Sequence, residues 1–379
     1  MLPRTIFGPE HDAFRATARA FIRDQAVPCS DRWEEQGFVD RSYWEAAAAQ
    51  GFVGFEAPEA LGGIGLRDFR FNAILDEEMM YAAAVGDGFS MANDVVAPYL
   101  VDLATPEQQG RWLPGFTAGR TIVAIAMTEP GAGSDLRGLR STATPTAGGY
   151  VLNGSKTFVT NGVLADLVIV AARTADHDGA LSLFAVAADS PGFARGRKLS
   201  KVGRRGQDTG ELFFTDVFVP DHDVIGERGR GLAHLKTNLP QERMSQAVMG
   251  VAACEKALEL TIAYCRERHA FGQPIGSFQA NRHALADLAT EVAAARSLVD
   301  ACITALTDRS LTAEDAAGAK LLSTELQSRV LDRCVQLHGG YGYMDEYVIS
   351  RLWRDGRVQR IYGGTSEIMR DIIGRSLGL

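Results

Sequence analysis

The stretch TIVAIAMTEPGAGSD, residues 121–135, marks a change of texture in the chain. From here, short runs rich in β-branched and aromatic residues follow one another: TIVAIAMTE (121–129), GYVLNGSKTFVT (149–160), ADLVIVAAR (165–173), LSLFAVAAD (181–189) and ELFFTDVFVP (211–220). Turn signals punctuate them at Gly148-Gly149, Asn153-Gly154, Asn161-Gly162, Ser190-Pro191-Gly192 and Pro220-Asp221. This pattern predicts a compact antiparallel sheet of about seven short strands, a sandwich or barrel, ending near Gly231.

On either side the spacing is helical. Phe14, Ala18, Phe21 and Ile22 recur at helical intervals, as do Ile74, Met79 and the segment Tyr99–Leu103. Between them GFVGFEAPEALGGIGL (51–66), with Pro58 and its glycines, reads as an irregular connection. Beyond the sheet, Val248, Val251, Cys254, Leu258, Ile262 and Cys265 step by three and four. Leu285, Leu288, Val292, Ala295, Val299, Cys302 and Leu306 keep the same rhythm, and Ala319, Leu322, Leu326, Val330 and Leu337 form a third stripe. Such stripes bury against one another in a four-helix-type bundle. The expected class is α+β: a helical domain at 1–120, a β domain at 121–231 and a helical bundle at 232–379.

Composition narrows the function. Lys and Arg number 39 against 47 Asp and Glu, a net charge of −8, which argues against gripping nucleic-acid phosphates. Hydrophobic residues make up 46% and charged residues 23%, so the chain reads as globular rather than disordered. No apolar run reaches the ~18 residues of a membrane helix. The opening MLPRTIFGPEHDAF lacks the basic-then-apolar order of a signal peptide. Cys29, Cys254, Cys265, Cys302 and Cys334 are odd in number and never form CxxC, which disfavours a disulfide framework or a zinc site, and a cytoplasmic setting is expected.

Five segments concentrate glycine, hydroxyls and aromatics: AMTEPGAGSD (126–135), NGSKTFVTNG (153–162), RHAFGQPIGSFQ (268–279), QLHGGYGYMDEY (336–347) and RIYGGTSEIMR (360–370). Pro130, Gly131 and Gly133 force a loop whose backbone can approach a ligand closely. It is neither GxGxxG nor a P-loop. Arg268 and the Gly339-Gly340 pair offer a guanidinium and open backbone N–H groups, which suit a diphosphate. Phe158, Thr128 and Thr160 offer an aromatic wall and hydroxyls, which suit a redox ring.

In this order the segments resemble the acyl-CoA dehydrogenase family, over essentially the whole chain. The resemblance implies FAD held between the sheet domain and the C-terminal bundle, with its adenine end reaching a neighbouring subunit of a dimer or tetramer. Met127, Thr128, Gly133 and Ser134 match the first flavin loop. Phe158 and Thr160 match the strand against the flavin ring, where many relatives carry Trp in place of Phe158. Arg268, Phe271 and Gln279 match contacts to the neighbour's adenosine and diphosphate, and Gln336, Gly339 and Gly340 match the diphosphate loop. Thr365 and Glu367 match the last cofactor contacts, although Glu367 is often Gln in relatives. Ser134, Arg243, Tyr362 and Gly363 resemble residues near the thioester and pantetheine.

The reaction implied is removal of a Cα proton from an acyl thioester, with the β-hydrogen leaving as hydride to the flavin. It needs a desolvated carboxylate as base and a hydrogen-bonded thioester oxygen. Most of the family carries that Glu in a Tyr-Glu-Gly-Thr run. Here the run is Tyr362-Gly363-Gly364-Thr365, with no carboxylate at 363. A second branch, including isovaleryl- and long-chain-type enzymes, carries the base on an earlier helix just before an Arg, and Leu239-Pro240-Gln241-Glu242-Arg243 fits it. Glu242 is therefore the expected base, with the Gly363 backbone N–H at the thioester oxygen and its missing side chain leaving room for the carboxylate. The plainer reading makes Glu242 a first-turn carboxylate of a helix opened by Pro240. Glu129 and Asp135 read as structural parts of their loop, Asp345 and Glu346 as solvated or paired, and His338 as non-catalytic.

The family resemblance also implies an electron-transfer flavoprotein as the acceptor. Coenzyme A and an acyl carrier protein share the pantetheine arm, so either carrier remains open. An oxidase or monooxygenase on the same fold, or a flavin-bearing scaffold, would be expected to alter or lose the base.

Overall fold

A computed structural model describes residues 3–84 and 88–379. The first helices are α1 (Pro9–Phe21), α2 (Ser30–Gln36), α3 (Arg41–Ala49), α4 (Phe69–Tyr81) and α5 (Pro106–Thr117). Two wider, π-type helical segments, Ser90–Val96 and Tyr99–Leu103, lie between α4 and α5. Residues 51–66 form the irregular connection expected of them, containing one short 3-10 turn, Glu59–Leu61.

The sheet follows as β1 (Val123–Ala126), β2 (Thr142–Thr146), β3 (Gly149–Thr160), β4 (Leu167–Thr174), β5 (Leu181–Ala187), β6 (Phe193–Lys198), β7 (Thr209–Pro220) and β8 (Val224–Ile225). The order across it is β6-β7-β3-β2-β4-β5-β8, with β1 beside β4. Neighbours are antiparallel except at β4, which runs parallel to both β1 and β2. β1 takes residues 167–170 of β4 and β2 takes Arg173 and Thr174, while β5 holds the other edge. β1 and β2 therefore lie end to end along one edge of β4, and residues 127–141 loop out from the gap between them. β4 reads as an unbroken apolar run because both its faces are buried. Val168, Val170 and Ala172 face the interior of the sheet domain, while Ile169 and Ala171 pack on the N-terminal helices with Phe52, Phe55 and Phe116.

One expected turn is not a turn. Asn153-Gly154 lies inside β3, where the pairing with β7 slips between Leu152 and Gly154. The Asn153 amide bonds across the strands to Asp216, donating to Oδ1 at 3.0 Å and accepting from its N–H at 2.9 Å. Gly154 is required there because a Cβ would come within 2.3 Å of Ser141 Oγ. The local Asn-Gly signal is spent on a bulge.

The C-terminal part comprises α6 (Gly231–Glu267), a small hairpin of β9 (His269–Ala270) and β10 (Gln273–Pro274), then α7 (Gln279–Thr307), α8 (Ala313–His338), α9 (Val348–Gly356) and α10 (Ser366–Ser376). α6 and α8 approach closely because Gly250 faces Ser323, where an added Cβ would meet Ser323 at 3.3 Å. Two readings of the sequence are corrected. Leu322 is 40% exposed, on the outward side of α8, because the inward side is made of smaller residues, Ala316, Ala319 and Ser323. Helix α6 opens at Gly231 rather than at Pro240, which lies inside it.

The loop at 127–141 is anchored by a buried ion pair. Lys156 Nζ, on β3, donates to Glu129 Oε1 at 2.9 Å and to the Met127 carbonyl at 3.1 Å. The same Glu129 carboxylate accepts the backbone N–H groups of Arg140 (2.6 Å) and Ser141 (2.9 Å). Burial works to raise the Glu129 pKa, but these donors outweigh it and hold the carboxyl down at about 2. Glu129→Gln strands a buried ammonium and should destabilise the fold by about 3 kcal/mol, read as a lowered Tm at neutral pH. The parent should lose this contribution as pH falls from its ordinary 4.5 towards about 2, and the variant's acid limb should be correspondingly shallower.

Candidate active site

Helix α6 is partly exposed over its first turns. From Glu242 to Cys254 every residue is then buried. That stretch alternates small residues (Ser245, Ala247, Gly250, Ala252, Ala253) with larger ones, so neighbouring helices close on all sides of it. Pro240 lacks an N–H and leaves the carbonyl one turn earlier without its helical donor. It sits where the helix is still partly exposed, and the helix continues through it. Glu242 is thus carried in mid-helix, and the first-turn explanation for its charge no longer applies.

The Glu242 side chain is 5% exposed. Its Oε1 lies 3.4 Å from the hydroxyl of Tyr99, the buried first residue of the segment Tyr99–Leu103. Burial pushes the Glu242 pKa up to about 7; the adjacent Arg243 charge and the Tyr99 hydroxyl pull it back, and the Asp94 carboxylate adds to the rise. A carboxyl with this value is available as a base near neutrality. Arg243, also buried, directs Nε at the Gly363 carbonyl at 3.4 Å.

Residues 362–364 form a tight turn with φ of +64° at Gly363 and +95° at Gly364. Its three successive carbonyls are each held by a buried cation. Arg243 takes that of Gly363, and Lys320 Nζ, from α8, donates to those of Tyr362 (3.0 Å) and Gly364. Lys320 is fully buried, and burial lowers its pKa to about 8. With the carbonyls engaged, the N–H of Gly363 donates to no backbone acceptor among the described residues. The Tyr362 hydroxyl lies 3.3 Å from Arg204 Nη1. The space beside Gly363 is not left for Glu242: a Cβ on residue 363 would meet the Gln246 amide.

The loop residues expected at a flavin come together with the Phe158 strand. The Thr157 N–H donates to the Thr128 carbonyl at 3.0 Å, and Lys156 holds Met127. A second slip in the β3–β7 register, between Lys156 and Val159, places Phe158 at φ +57° and leaves it 68% exposed. Thr160 and Thr128 are half-buried; Gly133 and Ser134 are exposed. Asp135 accepts the Arg137 N–H at 3.0 Å and caps its own loop.

Arg268, Phe271, Gln279, Gln336, Gly339 and Gly340 gather at the other end of α6, where it meets α7 and α8. Arg268 stacks its guanidinium over Tyr341 at 5.9 Å, and Tyr264 donates to the His338 carbonyl at 3.2 Å. Phe271 is 95% exposed at φ +53°. Among the described residues no hydrogen bond or ion pair joins this group to Met127–Thr160. Thr365 caps α10 by accepting the Ile368 N–H at 3.3 Å, and Glu367 is an exposed first-turn residue of that helix. His338 is buried against Tyr264 and bonded to the Cys334 carbonyl; Asp345 pairs with Arg354 at 3.6 Å.

Family models for the acyl-CoA dehydrogenase N-terminal, middle and C-terminal domains match residues 8–120, 124–217 and 229–378. The chain belongs to the acyl-CoA dehydrogenase family. It is 44% identical over 380 residues to the mitochondrial long-chain specific acyl-CoA dehydrogenase of Rattus norvegicus, covering 99% of this chain and 88% of that protein. The crystal structure of an acyl-CoA dehydrogenase from Geobacillus kaustophilus superposes with a TM-score of 0.96 at 41% identity, covering 100% of both chains. The Bacillus anthracis acyl-CoA dehydrogenase solved with FAD superposes with a TM-score of 0.92 at 31% identity, covering 98% of this chain and 68% of that one. The acyl-CoA dehydrogenases are oxidoreductases. In this family member no helix among the described residues is long and apolar enough to cross a membrane.

Three residues around the candidate site of this acyl-CoA dehydrogenase family member escaped the reading of the sequence: Tyr99, Gln246 and Lys320. Lys320 had a detectable signal, a lysine set among Ala316, Ala317, Ala319, Ser323 and Thr324 on a buried helix. Tyr99 and Gln246 had none, because their role depends on which elements they meet.

The raised pKa of Glu242 has a consequence for stability that needs no substrate. Between its ordinary 4.5 and about 7 the folded protein keeps a proton that the unfolded chain has lost, so folding stability falls as pH rises through this window. Glu242→Gln removes this dependence. The Tm of the variant relative to the parent should therefore climb from pH 4.5 to 7, corresponding to roughly 3 kcal/mol at most. Parallel Tm profiles would mean that Glu242 is not a strained buried acid.

Proposed function

We propose that the protein catalyses the α,β-dehydrogenation of an acyl thioester, converting an acyl-CoA to its trans-2-enoyl-CoA with FAD as cofactor. The observation that carries this reading is a buried carboxyl on α6, raised to about 7, in a family member that lacks a carboxylate at residue 363. Glu242 takes the Cα proton, and the Tyr99 hydroxyl beside it steadies the carboxylate. The Gly363 N–H bonds the thioester oxygen and stabilises the enolate charge, while Arg243 and Lys320 keep its turn in place. Ser134, Arg243 and Tyr362 border the thioester and its pantetheine arm. Burial of Glu242 excludes water from the proton transfer.

The residues fit FAD. Gly131, Gly133, Gly339 and Gly340 have open space where a Cβ would stand, leaving backbone accessible to a ligand. Phe158 and Phe271 are exposed aromatic side chains held at positive φ, a strained arrangement that clusters at binding sites. Met127, Thr128, Phe158 and Thr160 would hold the flavin, with Gly133 and Ser134 in the same loop. Arg268, Phe271, Gln279, Gln336, Gly339 and Gly340 would hold the adenosine diphosphate end of a neighbouring copy's cofactor, and Thr365 and Glu367 the last contacts. When bound, FAD supplies the acceptor for the hydride leaving Cβ. The separation of the two groups within one chain supports a homo-oligomer, a dimer or tetramer, and an electron-transfer flavoprotein is the proposed partner for re-oxidation.

Glu242→Gln should retain FAD while slowing anaerobic flavin bleaching by an acyl-CoA ~10²–10⁴-fold. In the parent, bleaching should speed up as pH rises through about 7, as the base deprotonates. A variant that bleaches at the parent rate would place the base elsewhere. Arg268→Ala should weaken FAD retention by the equivalent of about 1.5–3 kcal/mol. Equilibrium dialysis measures that loss, and light scattering of the same samples should still give an oligomer; a monomer that retains FAD fully would refute the shared site.

A further inference from the structure

Gln246 lies one helical turn beyond Glu242 on α6, so both side chains emerge on the same face. It is 6% exposed, and its Oε1 is buried with no hydrogen-bond partner among the described residues. A buried unpaired carboxamide oxygen is costly, and native proteins keep one chiefly where a ligand, water or function accounts for it. Its carboxamide is pressed against the turn at 362–364. A Cβ built on Gly363 would lie 2.0 Å from Gln246 Nε2 and 2.6 Å from its Oε1, well inside contact distance. At Gly364 the obstruction is instead the Met369 methyl, at 2.7 Å.

The lack of a side chain at 363 therefore does not create an empty place. Gln246 fills it, in a turn whose carbonyls Arg243 and Lys320 hold fast and which cannot back away freely. The positive φ at 363 is a lesser obstacle, since Phe158, Arg204 and Phe271 adopt similar values in this chain. We propose that Gln246 determines where the base of this enzyme comes from: its carboxamide occupies the position through which residue 363 would present a carboxylate, so that only α6 can supply one. This rests on Glu242 being the base. The unpaired Oε1 faces the same region and is completed when the thioester binds.

The test compares anaerobic flavin bleaching by one acyl-CoA in three variants: Glu242→Gly, Glu242→Gly with Gly363→Glu, and the latter pair with Gln246→Ala. The single variant should be slow, and the pair should remain within a few-fold of it. The triple variant should recover at least tenfold while staying below the parent, because a displacement of ~1 Å can cost ~100-fold. The proposal is overturned if the pair recovers as well as the triple, or if the triple is no faster than the single variant. If Glu242→Gly alone bleaches like the parent, it is the assignment of the base that fails instead. A second measurement does not depend on catalysis. Gly363→Ala should lower Tm by several degrees more in the parent than in a Gln246→Ala background, and equal drops would overturn the steric claim.

Discussion

Everything at the candidate site depends on one helix that buries a polar segment. α6 runs from Gly231 to Glu267 without a break, and along its middle Glu242, Arg243, Ser245 and Gln246 are all enclosed. An ionised carboxylate is expensive to take out of water, so the enclosure raises the pKa of Glu242 and makes it a proton acceptor near neutrality. Each of its neighbours answers the same cost in a different way. Arg243 reaches a carbonyl on the 362–364 turn, and Ser245 donates to Asp76 of α4 at 2.8 Å. Gln246 is left with an oxygen that has no partner among the described residues.

The 362–364 turn is the counterpart of this helix. Two glycines let it take left-handed backbone, and two buried cations hold its carbonyls. Charge-assisted hydrogen bonds are the stronger kind, which suits them to fixing the direction of the Gly363 N–H. The cations come from α6 and α8, the pair brought close by Gly250 and Ser323. Helix packing, turn geometry and the electrostatics of Glu242 are thus one structural problem.

The sheet makes its own contribution through irregularity. Two register slips in β3 deliver Gly154 against Ser141 and Phe158 to the surface, and the Glu129–Lys156 pair seals the loop between β1 and β2 to the same strand. A regular β3 would have alternated its side chains and turned Phe158 inwards or paired it. The bulge instead leaves Lys156 and Thr157 consecutively buried and Phe158 exposed.

By itself the sequence determined the order of helices, sheet and bundle, because hydrophobic period is a local property that survives in a one-dimensional string. It also determined the chemistry on offer: a carboxylate at 242, none at 363, and glycine-rich segments in a recognisable order. Only the tertiary structure decided the rest. Pro240 reads locally as a helix start, yet α6 passes through it because packing on the segment beyond outweighs one missing hydrogen bond. Asn153-Gly154 reads as a turn, yet cross-strand bonds to Asp216 make it a bulge. The stripe that begins at Val248 marks one face of α6 but does not reveal that every residue from Glu242 to Cys254 is buried, because that enclosure comes from elements distant in the chain. Lys320, Tyr99 and Gln246 gain their meaning from contacts with residues distant in the chain, at Tyr362 and Gly364, Glu242 and Gly363, and no spacing rule encodes such distances.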